Sequence, residues 1–63
     1  MTRIQHGTEV TTPDGRGRIQ EYTTDGYRVM FARADYRGEI PPKFTDRSPT
    51  ISKEYREDEV TRL

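Results

Sequence analysis

The chain predicts an all-β fold: one domain over residues 1–63, built as a small, strongly bent, five-stranded barrel. Three observations carry that prediction. Apolar residues recur at every second position, Tyr27, Val29 and Phe31, the two-residue period of a strand with one buried face. Pro13-Asp14-Gly15 is turn chemistry set between two β-rich runs. Gly17 lies inside the second run, where a missing side chain marks a bend or another backbone passing close by.

Composition bounds what such a fold can do. Only 29% of the 63 residues are hydrophobic and 35% are charged, so the core is small. A chain in this position gains stability by self-association or by holding a partner, and a homodimer or higher oligomer is one way to reach it. Eleven basic residues balance eleven acidic ones, which removes any global steering toward nucleic acid or membrane. With no Cys, neither disulfides nor thiolate metal sites can staple the fold, and no metal or other cofactor is expected. No apolar run reaches transmembrane length and the N-terminus lacks a signal-peptide core, so the expected setting is cytoplasmic, away from membranes.

The elements follow in order. Residues 1–7 are a lead-in anchored by Ile4, and the single His6 reads as a hydrogen-bonded or solvated residue just before a strand. The first strand covers residues 8–12 with Val10 inward. Residues 18–23 and 27–33 form a hairpin. A three-residue loop, Thr24-Asp25-Gly26, pairs Thr23 with Tyr27 and sets Ile19 opposite Phe31, which gathers the apolar side chains on one face and expects Gly26 in the left-handed region. Tyr27 then lies at the rim. The outward face carries Arg18, Gln20, Tyr22, Arg28 and Met30.

Residues 34–40 continue that strand past a bend or open a loop. Pro41 and Pro42 exclude a central strand, so residues 38–49 form a long proline-rich loop whose Phe44 packs back on the barrel or stands out as a contact residue. Residues 50–52 make a short fourth strand with Ile51 inward. Residues 53–59 include one helical turn, and Glu57-Asp58-Glu59 reads as a solvated acidic face. Residues 60–63 close the sheet.

This order of elements resembles the SH3-like small barrels, in particular KOW and Tudor-like modules and small barrel proteins encoded by bacteriophages. The resemblance rests on Val10, Thr12, Pro13, Gly15, Gly17 and Ile19 at the first turn, on Val29 and Phe31 in the third strand, and on the segment from Tyr55 to Val60 before the last one. The proline-rich stretch departs from the pattern. Such barrels bind RNA, DNA, peptides or other proteins, so the likeness speaks to fold more than to function. The phage-type members imply an adaptor or inhibitor of another protein. A Tudor-like aromatic cage would need convergent rings; Tyr22, Tyr27, Tyr36 and Phe44 are available, but nothing in their spacing brings them together.

Catalysis is not expected. One His and scattered carboxylates offer no nucleophile–base set, and so small a barrel has little room for a pocket. A protein partner is the leading expectation, with Arg18, Tyr22, Arg28, Met30, Tyr36 and Phe44 as contact residues: an aromatic, a methionine and arginines on an exposed strand face suit an interface. The alternative is an RNA- or single-strand-DNA-binding barrel using Arg16, Arg18, Arg28 and Arg33 on phosphates with Tyr22 stacking a base. Glu21, Asp25 and Asp35, interleaved with those arginines, weigh against it.

Overall fold

A computed structural model describes residues 3–45 and 47–63. Met1 and Thr2 of the expected lead-in, and Asp46 of the expected proline-rich loop, lie outside the described residues. Five antiparallel strands form one sheet: β1 Glu9–Thr12, β2 Gly15–Tyr22, β3 Gly26–Ala32, β4 Thr50–Arg56 and β5 Thr61–Arg62, in the order β4-β3-β2-β1-β5. The sheet is not closed, and β4 and β5 are its edges. Two 3₁₀ turns, Arg33–Asp35 and Glu57–Glu59, complete the regular structure among the described residues.

One face of the sheet encloses the core. Val10 of β1, Ile19 of β2, Tyr27, Val29 and Phe31 of β3, Ile51 and Tyr55 of β4, and Val60 are buried there, and Ile4 and Tyr36 pack against this cluster from its margins. The period-two expectation for β3 therefore holds. So does the first turn: Thr12 pairs with Gly15 across Pro13-Asp14, and Gly15 takes φ +122°. The Thr12 hydroxyl accepts the Asp14 N–H at 3.2 Å and donates to the Gly15 carbonyl at 2.9 Å. At Gly17, a Cβ would come within 2.6 Å of the Met30 carbonyl oxygen and 2.7 Å of a Val29 methyl, so β2 crosses β3 too closely for any side chain.

The hairpin register differs from expectation. Tyr22, not Thr23, pairs with Tyr27, Glu21 pairs with Arg28, and Ile19 pairs with Val29 rather than Phe31. A β-bulge between Ile19 and Glu21 absorbs the extra residue. Gly26 is the reason. It is not in the left-handed region but lies in β3 opposite Arg56, where a Cβ would sit 2.1 Å from the Tyr55 carbonyl oxygen. The loop therefore shifts one residue back, to residues 23–25, with the Thr23 N–H bonded to the Gly26 carbonyl at 2.9 Å. Tyr27 is thereby drawn from its expected rim position into the core, at 1% exposure.

The fourth strand is also longer than expected. It continues through Tyr55, which pairs with Tyr27, and places Lys53 on the same side of the strand as Ile51 and Tyr55. The helical turn expected before the last strand is Glu57–Glu59. The chain after β3 does not continue as strand; it turns through Arg33–Asp35, and Tyr36 then bridges to Gly15.

Candidate interaction face

The outer face of the sheet is built by strand alternation. Cross-strand pairing sets Glu9 beside Arg18, Arg18 beside Met30, and Met30 beside Ser52. A groove of about 300 Å³ runs over this face. Met30 and Ala32 lie along it, Arg16 and Arg18 come from β2, Glu9 from β1, Thr50 from β4, and Asp35 from the first 3₁₀ turn. Met30 is half-buried and Ala32 exposed, so the groove offers apolar surface between charged walls.

Most of the arginines on this side have partners within the chain. Arg28 donates to Glu21 Oε2 at 3.1 Å and to Glu54 Oε2 at 2.9 Å, a bridge across three strands. The hydrogen bond it donates to Glu54 stabilises the charged form of Arg28 further. Arg18 donates to the Gly7 carbonyl at 3.0 Å and to Glu9 at 3.4 Å. Arg33 is turned to the other end of the molecule, where it donates to the carbonyls of Thr45 at 2.8 Å and Ser48 at 3.3 Å and ties down the far part of the long loop. Arg16 has no side-chain hydrogen bond or ion pair among the described residues, and it is exposed on the groove.

Tyr22 is not on this face. The bulge flips the last residues of β2, so Tyr22 stands opposite Tyr27 on the core side, with ring centroids 5.9 Å apart, and remains 41% exposed. The expected set of Arg18, Arg28 and Tyr22 is thus divided between two faces. Tyr36 is also turned inward: its ring lies 5.0 Å from Phe31 and its hydroxyl donates to the Glu39 carbonyl. Phe44 is half-buried in its own loop, its N–H bonded to the Pro41 carbonyl at 3.0 Å and its ring 5.4 Å from the Lys43 ammonium. Of the six expected partner contacts, only Arg18, Arg28 and Met30 share the outer face.

Two clusters were not visible in the sequence. At the first turn, Asp14 Oδ2 accepts the Lys53 ammonium at 2.8 Å and the Tyr55 hydroxyl at 2.6 Å. Those two donors hold the Asp14 carboxyl below its usual range, and Asp14 in turn holds the Lys53 ammonium above its own. Burial, reinforced by the Asp14 carboxylate, pushes the Tyr55 phenol well up. All three groups are locked in one protonation state near neutrality, so the cluster fastens the turn to β4 and has no proton to exchange. At the other end of β2, Arg3 reaches over the hairpin loop toward Tyr22 and Tyr27. The only hint of either cluster was the presence of charged residues in segments that local rules assign to a turn or a lead-in.

The acidic run behaves as a solvated cap. Asp58 pairs with Arg56 at 2.9 Å, and the Glu59 carboxylate accepts the Arg56 N–H at 3.0 Å. Among the described residues no helix is long and apolar enough to cross a membrane. Comparison with known proteins finds no matching family model, no matching curated protein and no matching solved structure.

Proposed function

We propose that this chain is a non-catalytic, SH3-like binding module that holds a protein partner, a second copy of itself included, in the groove on the outer face of its sheet. The strand order, with β5 beside β1 and a 3₁₀ turn leading into β5, supports the SH3-like reading and the barrel that goes with it. A cytoplasmic adaptor or inhibitor, of the kind the phage-encoded barrels exemplify, is the role that fits.

The observation that carries the reading is the composition of the groove. Met30 and Ala32 supply apolar surface, Arg16 and Asp35 supply a cation and an anion without side-chain partners among the described residues, and Arg18 and Arg28 are already neutralised by Glu9, Glu21 and Glu54. A phosphate backbone would have to compete with Glu21 and Glu54 for Arg28 and with Glu9 for Arg18, and would find no ring to stack on beside them. A protein surface needs neither concession.

Light scattering tests this at low and high salt, with and without a short mixed-sequence oligonucleotide, on the wild type and on Met30→Glu. The expected result is a salt-insensitive oligomer that ignores the oligonucleotide and that Met30→Glu returns to monomer. A monomer that forms a salt-sensitive complex with the oligonucleotide would overturn the proposal in favour of nucleic acid.

A further inference from the structure

The loop between β2 and β3 carries a second site, independent of the outer groove. Three main-chain carbonyls converge there on one guanidinium. Arg3 Nη1 donates to Thr23 at 3.0 Å and to Gly26 at 2.9 Å, and Nη2 donates to Thr24 at 3.4 Å. The same guanidinium carbon lies 5.4 Å from the centre of the Tyr22 ring and 5.6 Å from that of Tyr27. Carbonyl oxygens and ring faces all present negative potential, so their convergence favours a cation. A flat fork with several donors in one plane meets several carbonyls and two rings at once; a compact ammonium does so less well.

The segment that delivers this cation is a tether. The Gly7 N–H bonds to Ile19 on β2 at 2.8 Å, and Gly7 itself takes φ +80° in open space. Upstream of it, Gln5 and His6 are exposed, and Ile4 holds the segment: its side chain packs at the margin of the core, the Tyr22 hydroxyl donates to its carbonyl at 2.8 Å, and its N–H donates to the Tyr27 hydroxyl at 3.1 Å. One side of the cup is open, since Tyr22 is 41% exposed. The same loop also borders a depression of about 380 Å³ that Asp25, Glu54 and Glu59 line together with Arg56, three carboxylates against one guanidinium. The Asp25 carboxylate makes no side-chain hydrogen bond or ion pair among the described residues.

We propose that the Tyr22–Tyr27 cup is a receptor for an arginine side chain in a basic segment of a partner protein, and that Arg3 is its built-in competitor. An incoming arginine replaces Arg3 against the same carbonyls and rings, and the strap swings away about Gly7. Basic residues flanking that arginine lie over the acidic depression. The tether keeps the competitor at high effective concentration, so only a segment with that additional charge complementarity displaces it.

The test uses the 63-residue chain and the capped tetrapeptide Thr-Arg-Ile-Gln, which copies residues 2–5, with Thr-Lys-Ile-Gln as its control. Binding is followed by NMR at the ring resonances of Tyr22 and Tyr27 and the amide of Thr24. Arg3→Ala is expected to bind the arginine peptide with shifts at those three residues. The wild type is expected to bind it about tenfold or more weakly, and the lysine peptide is expected to bind Arg3→Ala less well than the arginine peptide. A folded Arg3→Ala that shows no shifts at millimolar peptide would overturn the proposal, as would equal binding of the two peptides or unchanged binding by an Arg3→Ala, Tyr22→Leu double variant. If Arg3→Ala does not fold, the uncharged Arg3→Gln takes its place, and the absence of shifts there counts equally against it. Met30→Glu leaves this binding unchanged, so a failure of the outer groove and a failure of the cup are separate results.

Discussion

The two ends of β2 are fastened by opposite means. At its start, the turn carries its own fastener: Asp14 reaches from the turn across to Lys53 and Tyr55 of β4. At its far end, the loop is fastened from outside, by Arg3 on the strap that precedes β1. A fastener built into a turn between two strands cannot leave without opening the sheet. One carried on the strap can, because the strap lies outside the strands and is held by the packing of Ile4 and a few hydrogen bonds. The first arrangement serves stability. The second leaves a polar cup that another group can enter.

That contrast can be broken deliberately. The largest effect belongs to Gly26→Ala, because the rigid part of the far end is the glycine and not the arginine. Its new methyl would meet the backbone of Tyr55 and Glu57, and urea denaturation should show a loss of about 3 kcal/mol.

Asp14→Ala comes next, at about 2 kcal/mol, chiefly because the Tyr55 hydroxyl loses its acceptor in a nearly buried position. The pH dependence sharpens this prediction. A carboxyl whose folded pKa lies below 3.8 contributes stability that is present above that value and is lost as the pH falls through the folded pKa. Lys53 and Tyr55 are raised above 10.5 and 10.0, so their contribution is complete below those values and is lost as the pH rises beyond them. Thermal melts of the wild type should therefore decline at both limits; Asp14→Asn should flatten the acid limit and only reduce the alkaline one, where the burial of Tyr55 still opposes its ionisation.

Arg3→Ala should cost only about 1 kcal/mol by the same urea measurement, because the loop carbonyls it uncovers can turn to water. A loss as large as that of Asp14→Ala would make the strap part of the sheet's foundation and erase the contrast. Arg16→Ala should fall within about 0.5 kcal/mol, since the side chain has no partner to lose.

How much of this was legible depended on the range of the interaction. The Pro13-Asp14 turn and the alternation of Tyr27, Val29 and Phe31 are set by neighbouring residues, and both were read correctly. The bulge was not. Counting apolar residues favoured a register with Ile19 opposite Phe31, but that count has no term for β4, which presses on Gly26 and draws it out of the loop into β3. One residue of slip then reversed Tyr22, and the expected Arg18–Arg28–Tyr22 face came apart. Asp14 was read as a turn residue, correctly. Its partners stand 39 and 41 residues away, a distance over which no local rule acts.

By itself, then, the sequence determined the class of the fold, the position of the first turn and the strand whose alternate side chains form the core, because backbone preference and period-two burial are local properties. Tertiary structure alone decided the hairpin register, the face on which Tyr22 stands, the length of β4 and the two fasteners of β2. Each of those depends on which distant backbone comes within a few ångströms, and that is settled only when the strands pack together.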